Sequence, residues 1–281
     1  MKVIADSGST KTDWCLINGA GEIKTVQTVG LNPYFLDEDE VLNVLQKDLY
    51  PFLDNKKVDQ VFFYGSGCAL PHKKQVLQCA LDSFFMHADV DVENDLLGAA
   101  RALCNEEKGL ICILGTGASS CLYDGKEITE RLASLGYILG DEGGGAHLGK
   151  KLLSAYFSDE LPEHLHKLFE QKYPAELAEI LDKVYRQPFP NRFLASFVEF
   201  LKENKSDTFV KELVNLAFDT FFKKQVLRYD GYEKYPLCFT GSVSFIFEDE
   251  LRKSAKKHGC TISKIEQTPI TGLLKFHKLE K

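Results

Sequence analysis

The chain is short of positive charge. It sets 34 Lys and Arg against 41 Asp and Glu, a formal net charge of −7, which argues against a broad basic surface tracking nucleic-acid phosphates. An acidic protein can still bind ATP, through backbone amides and a divalent metal. Long apolar runs are missing too. The opening run ends at Asp6, too short for a signal-peptide core, and no later stretch approaches the ~20 residues a membrane span needs. The expectation is a cytoplasmic protein with no membrane partner and no nucleic-acid partner. Among its eight cysteines there is no Cys-x-x-Cys pair, and several sit in apolar runs such as Leu110-Ile111-Cys112-Ile113-Leu114. They read as reduced core residues rather than metal ligands or disulfides. The histidines offer no better metal site, because His164 and His166 would point to different faces of a helix.

Two common nucleotide-binding patterns are also absent. Gly8-Ser9-Thr10-Lys11-Thr12 lacks the spaced glycines of a P-loop. Gly115-Thr116-Gly117 begins a dinucleotide fingerprint, but Ser120 stands at its third glycine position.

What is present is a plan that occurs twice. With 281 residues, 44% hydrophobic and 27% charged, the chain is long enough for two domains of ordinary size. Residues 2–5 form a short apolar run that ends in Asp6-Ser7-Gly8-Ser9-Thr10-Lys11-Thr12. Strands over 13–17 and 22–29 follow, with a turn at Asn18-Gly19-Ala20-Gly21 between them. The second copy starts with a strand over 109–114 and ends in Gly115-Thr116-Gly117-Ala118-Ser119-Ser120. A strand at 121–123, a turn at Asp124-Gly125 and a further strand toward Leu135-Gly136 follow it.

Between the copies the pattern predicts a helix over 38–53, a strand over 58–64 ending in Gly65-Ser66-Gly67, a helix over 71–85 and a helix after Asn94. From 146 to 229 the spacing is helical, and Pro162, Pro174, Pro188 and Pro190 divide it into several pieces. A strand over 237–240, a helix over 247–258, a strand over 260–265 and a helix over 272–279 complete the chain. The fold class is α/β in two domains, with a boundary near Leu114.

Small-residue loops after buried strands present converging backbone N–H groups to phosphate oxygens. Each loop alone could equally be a strand-ending turn; their duplication, with Asp6 at the head of the first, favours a functional pair. Asp6-Ser7-Gly8-Ser9-Thr10-Lys11-Thr12 and Leu114-Gly115-Thr116-Gly117-Ala118-Ser119-Ser120 resemble the two phosphate loops of the actin-like ATPase and sugar-kinase superfamily. Gly140-Asp141-Glu142-Gly143-Gly144 and Asn94-Asp95 resemble its BadF/BadG/BcrA/BcrD-type ATPase branch, closest to the N-acetylglucosamine kinases. Thr240-Gly241-Ser242-Val243-Ser244 is similar to that branch's adenosine loop, and Gly30-Leu31-Asn32-Pro33 to its first sugar-contacting segment. Ser7 and Ser9 stand where the family often has glycine. Ala118-Ser119-Ser120 and Leu135-Gly136-Tyr137 depart from the vertebrate-like sugar loops, so the substrate need not be the same.

The resemblance implies two actin-like, ribonuclease H-like domains, 1–114 and 115–281, with a nucleotide cleft between them. The second would carry the helical insertion, and the last helix would dock back on the first. It further implies ATP and Mg²⁺ as cofactors and a small-molecule sugar as partner. Asp95 is the implied proton acceptor and Asp6 the implied Mg²⁺ ligand. Gly8, Ser9, Thr10, Lys11 and Thr12 would meet phosphates on one side, and Gly115, Thr116 and Gly117 on the other. Gly241, Ser242 and Val243 would hold the nucleoside, and Asn32, Ser119, Ser120, Asp141, Gly143 and Gly144 the sugar.

Plainer roles exist for several of these residues. Asn94 or Asp95 would serve equally as a helix cap, Asp6 as a turn initiator, and the glycines after Glu142 as a connector. The activity implied is phosphorylation of an N-acetylated amino sugar. The alternatives are an N-acetylmuramic acid or glucosamine kinase, or an ATPase that activates a partner enzyme. The last would need a cysteine loop for an iron–sulfur cluster, and no such loop is evident. The residues leave oligomeric state open, a homodimer included.

Overall fold

The computed structural model describes residues 1–53, 57–174 and 176–279. The chain divides into two compact units. Unit 1 comprises Met1–Gly109, Tyr123–Thr129 and the segment from Thr268; unit 2 comprises Leu110–Leu122 and Glu130–Gln267.

The first sheet contains β1 (Lys2–Ser7), β2 (Lys11–Ile17), β3 (Ile23–Val29), β4 (Gln60–Gly65) and β5 (Asp89–Asn94), in the order β3-β2-β1-β4-β5. The first three strands are antiparallel, whereas β4 runs parallel to β1 and β5 parallel to β4. The second sheet contains β6 (Gly109–Leu114), β7 (Ala118–Tyr123), β8 (Ile128–Arg131), β9 (Leu237–Thr240) and β10 (Ile262–Glu266), in the order β10-β9-β6-β7-β8. Numbered from its own first strand, each sheet has the same order. The duplication read in the loops is therefore a duplication of topology.

Both faces of the first sheet are covered, and so its inner strands are apolar on both sides rather than alternating with polar residues. Along β1, Val3 and Ala5 face one core, shared with Trp14, Val61, Phe63, Leu77 and Val92. Ile4 faces the other, shared with Cys15, Tyr64, Ala102, Leu273 and Leu274. The last two come from the helix Ile270–Phe276, which packs on the helix Asp95–Cys104 closely enough that a Cβ on Gly272 would lie 2.2 Å from the Ala102 carbonyl oxygen. Beyond that helix, His277 Nε2 lies 2.8 Å from the Tyr64 hydroxyl, and Arg101 Nη1 donates to the same hydroxyl at 2.9 Å. The unit 2 core is rich in phenylalanine, with Phe169, Phe197, Phe200, Phe218, Phe221, Phe222 and Phe239 all buried.

Three expectations change. The segment expected as one helix over 38–53 is helical only over Glu38–Val44, where Asp37 and Glu40 form a reciprocal cap; a π-helical turn and a tight turn at Tyr50–Phe52 follow, with Pro51 unable to continue the ladder. β5 was not expected, because Asp89-Val90-Asp91-Val92-Glu93-Asn94 is carboxylate-rich; it forms as an edge strand whose Val92 is buried. A short helix, Ser242–Ile246, begins directly after β9, ahead of the expected one. All eight cysteines are free. Among the described residues no helix is long and apolar enough to cross a membrane.

Candidate functional site

In unit 1 the sheet register sets the site. Ser7 pairs with Gly65 and Gly65 with Asn94, so the parallel strands β1, β4 and β5 end level. Open α/β sheets bind ligands at such carboxyl ends. Asp6, the loop after β1, Ser66 and Asp95 all lie along this edge.

The first loop is a tight turn closed by the Gly8 N–H donating to the Lys11 carbonyl at 2.9 Å. A relay of buried hydroxyls braces it: the Leu31 N–H donates to Ser7 Oγ at 3.0 Å, Ser7 and Thr12 hydroxyls meet at 2.7 Å, and Thr12 donates to the Val29 carbonyl at 3.1 Å. The Thr12 hydroxyl is thus committed within the hairpin. Gly30 lies flat against the loop, where a Cβ would stand 2.3 Å from the Gly8 carbonyl oxygen. Asn32 is pinned from two sides. Its Nδ2 donates to Ser9 Oγ at 3.1 Å, and Gly67, at φ +84, is so close that a Cβ would lie 2.6 Å from Asn32 Oδ1.

The helix Asp95–Cys104 has Asn94 as its cap, with Asn94 Oδ1 accepting the Leu96 N–H at 3.0 Å. Asn94 stands at the cap position and shares that N–H with the side chain of Asp95, the first helical residue. Its carboxylate accepts from the Leu96 N–H at 2.9 Å and bonds the Ser66 hydroxyl. Both acids keep some surface open, yet the surrounding protein removes most of their water. Burial pushes Asp95 up to about 6 against the opposing pull of its Leu96 and Ser66 hydrogen bonds. Burial also pushes Asp6 up to about 8, reinforced by the charges of Asp95 and Asp13 and opposed by Lys11. Asp95 ionises first, so Asp6 feels its charge.

The sign of the stability effect follows. A carboxyl whose folded pKa is raised stabilises the fold below its unfolded value, and that contribution is lost as pH rises through the folded one. The thermal midpoint of the ligand-free protein should therefore fall between pH 6 and pH 8 by an amount that Asp6→Asn removes. Equal slopes for the two proteins in calorimetry would refute the assignment.

Among the described residues no group of three His, Cys, Asp or Glu side chains is placed to cage a metal. The donor set fits a hard cation that keeps waters and phosphate oxygens, which is how Mg²⁺ binds. Asp6 offers one carboxylate, the Asp95 charge stands close to it, and the exposed Lys11 opposes the build-up of negative charge at Asp6.

Unit 2 has its own edge. Ile113 pairs with Thr240 and Thr240 with Glu266, so the loops after β6 and β9 are neighbours. Gly241, at φ +117, presses on the first of them, and a Cβ would lie 2.3 Å from the Leu114 carbonyl oxygen. Ser242 is exposed, while Val243 is buried in the unit 2 core. In the loop after β6, the Gly115 N–H donates to the Gly117 carbonyl at 3.0 Å. Gly145 and Ala146, opening the helix Gly145–Phe157, donate to the Gly115 and Thr116 carbonyls at 2.8 and 2.9 Å.

The 140–144 loop lies on this turn, backbone to backbone. A Cβ on Gly144 would be 2.6 Å from the Gly117 carbonyl carbon, and one on Gly117 would be 2.7 Å from Asp141 Oδ2. The Asp141 carboxylate accepts the Ala118 N–H, and burial raises its pKa despite that bond. Ser119 is partly exposed, but Ser120 points into the core: it donates to Gln225 Oε1 at 2.7 Å and lies 2.9 Å from the Tyr229 hydroxyl. Its hydroxyl is spent there, and it acts as a brace for β7. Sequence reasoning did not find Lys224 and His147, which hold the 140–144 loop from outside at Glu142 and Gly143. Lys224 is 82 residues from its partner, whereas His147 is only four from Gly143 but lies on the helix after the motif.

A solved structure from Porphyromonas gingivalis, described as a candidate N-acetylglucosamine kinase, is 44% identical to this chain. It aligns over 99% of this chain and 98% of its own, with a TM-score of 0.93. One from Chromobacterium violaceum, described in the same terms, is 14% identical over 98% of both chains, at 0.71. A ROK family glucokinase from Streptomyces griseus, solved with glucose and AMPPNP, is 13% identical over 99% of this chain and 98% of its own, at 0.59. The last two share the fold, an α/β arrangement of two five-stranded mixed sheets. No sequence-family profile and no curated protein matches the chain.

Proposed function

The chain belongs to the family of the N-acetylglucosamine kinase-like protein of Porphyromonas gingivalis, and from that membership we propose that it transfers the γ-phosphoryl group of ATP to a hydroxyl of an N-acetylated amino sugar. Within that family we place it in the BadF/BadG/BcrA/BcrD-type branch. The observation that carries the reading is Asp95. It shares the Leu96 N–H with the cap residue Asn94, is bonded by Ser66, and is held by burial at a pKa of about 6. A general base works best with a pKa close to the working pH, and at neutral pH this one is ionised.

Each unit contributes its own residues. In unit 1, the Asp95 carboxylate takes the proton of the attacking sugar hydroxyl as its oxygen bonds to the γ-phosphorus and the bond to the ADP oxygen breaks. The turn at Gly8, Ser9, Thr10 and Lys11 offers N–H groups and a cation to phosphate oxygens, with Thr12 keeping the turn in shape. Asn32, immobilised by Ser9 and Gly67, presents a fixed amide to the sugar. In unit 2, Gly115, Thr116 and Gly117 form the second phosphate turn. Gly241 and Ser242 flank the nucleoside over buried Val243, while Asp141 with the Gly143 and Gly144 backbone and Ser119 hold sugar hydroxyls. Mg²⁺, held by Asp6 through water or directly, would neutralise phosphate charge and align the triphosphate.

The test is a coupled assay for ADP with MgATP and a panel of N-acetylglucosamine, N-acetylmannosamine, N-acetylmuramic acid and glucosamine. At least one N-acetylated sugar should raise ADP release well above the sugar-free rate and outpace glucosamine. No stimulation by any sugar would sink the proposal.

A further inference from the structure

The loop that carries Asp141 has a shape its own residues do not favour. Asp141 stands at φ 57 and Gly143 at φ +80; the left-handed region is costly for a residue with a Cβ and persists only where the surroundings impose it. Besides the Ala118 N–H on the Asp141 carboxylate and the Gly144 N–H on the Asp141 carbonyl, two side chains from outside the loop brace it. Lys224 Nζ meets Glu142 Oε1 at 2.5 Å, but the lysine is largely exposed, and such pairs contribute little. The other is His147, only 8% exposed, whose Nδ1 accepts the buried Gly143 N–H at 3.3 Å. An acceptor at Nδ1 requires a neutral ring with its proton on Nε2. The surroundings favour that form: burial lowers the pKa to about 4, with Lys150, Lys151 and Lys224 adding to it and Glu142 opposing.

We infer that His147 is a positioning residue for Asp141. Its Nδ1 fixes the Gly143 peptide, and with it the angle at which the Asp141 carboxylate two residues earlier is presented to the sugar. The inference rests on the sugar-kinase reading and assigns this histidine to substrate specificity. Gly143 has no room to find another partner by shifting, because its Cβ position is already 3.0 Å from Phe221 Cβ and 3.4 Å from Leu114 Cδ2. Without the acceptor the choice is a buried, unpaired N–H or a peptide turned away from its present orientation.

Two substitutions in the full-length chain separate positioning from packing. His147→Leu keeps bulk and removes the acceptor; His147→Asn places an amide oxygen close to where Nδ1 stands. Losing a buried acceptor corresponds to roughly 10-fold or more in affinity. His147→Leu should raise the KM for N-acetylglucosamine, and its calorimetric Kd, by about that factor and leave the KM for ATP unchanged, approaching Asp141→Ala. His147→Asn should recover sugar binding to within about 3-fold of the parent. Equal sugar losses in the two variants, or an equal rise in the KM for ATP, would overturn the inference.

A second measurement needs no folded variant. Nitrogen-15 NMR of the unsubstituted protein should show the His147 ring with Nδ1 unprotonated at neutral pH; a proton on Nδ1 overturns the inference. If the parent protein neither binds nor phosphorylates any sugar in the panel, the kinase reading fails and the role given to His147 fails with it. The ring spectrum still reports separately whether the bond to Gly143 exists.

Discussion

Replacing Asp95 with Asn should lower kcat by about 10²- to 10⁴-fold and leave the Kd for MgATP close to that of the parent. Asn keeps the shape and can still accept the Leu96 N–H and bond the Ser66 hydroxyl, but it cannot take a proton. The helix survives, because its cap is Asn94 and not the substituted residue. The pH profile gives an independent readout. The base must be unprotonated to act, so kcat/KM of the parent should fall as pH drops through about 6, and this limb should vanish from the residual activity of the variant. An Asn variant with near-parental turnover would remove Asp95 from the mechanism and leave the fold and the phosphate loops untouched.

The second large effect is expected at Gly241. At φ +117, and with a would-be Cβ 2.3 Å from the Leu114 carbonyl oxygen and 3.1 Å from the Gly115 nitrogen, even Gly241→Ala has nowhere to go. The obstructing atoms are backbone of Leu114 and Gly115, so relief requires the loop after β9 and the turn after β6 to separate. The strained conformation alone costs about 1–3 kcal/mol. The KM for ATP should rise roughly 100-fold, the factor for losing a site aligned by about 3 kcal/mol. Gly19→Ala is the control: a Cβ there meets nothing within 4 Å, and the variant should stay within about 0.5 kcal/mol of the parent. If the two alanine variants bind ATP equally well, the contact between the loops has no bearing on the nucleotide.

Period and punctuation made most of the fold legible. Buried strands such as β1 and β6 are short apolar runs that end in small-residue loops, and their repetition exposed the duplication before any strand order was known. Strand order itself has no local signature. The levelling of Ser7, Gly65 and Asn94, which brings Asp95 to the edge where Asp6 lies, exists only once β4 and β5 pair in parallel. β5 escaped notice because its carboxylates outweigh the alternation of Val90 and Val92. Residues in the motifs were legible by type, but the direction of a side chain was not. Ser119 and Ser120 are equivalent in sequence, and one residue of strand register sends Ser120 into the core toward Gln225 and Tyr229. Thr12 likewise belongs to a phosphate-loop motif while its hydroxyl closes a hairpin. Lys224 reaches the loop from 82 residues away, and His147, though only four residues past Gly143, lies outside the motif on the helix that follows it.

The helix that carries Asp95 leans on residues synthesised long after it. Ala102 packs with Leu273 and Leu274, and the Tyr64 hydroxyl that receives Arg101 also meets His277. On the ribosome, the segment from Thr268 emerges only when the whole of unit 2 has been made. Until then one face of the first sheet is covered by the helix Asp95–Cys104 without its partner, and Ile4, Cys15 and Tyr64 lack Leu273 and Leu274. Unit 1 therefore begins first and finishes last, and a nascent chain stalled before Thr268 should display an unfinished first unit beside a second one whose residues are all present. The arrangement withholds the finished packing of the Asp95 helix from any chain that has not been translated past unit 2.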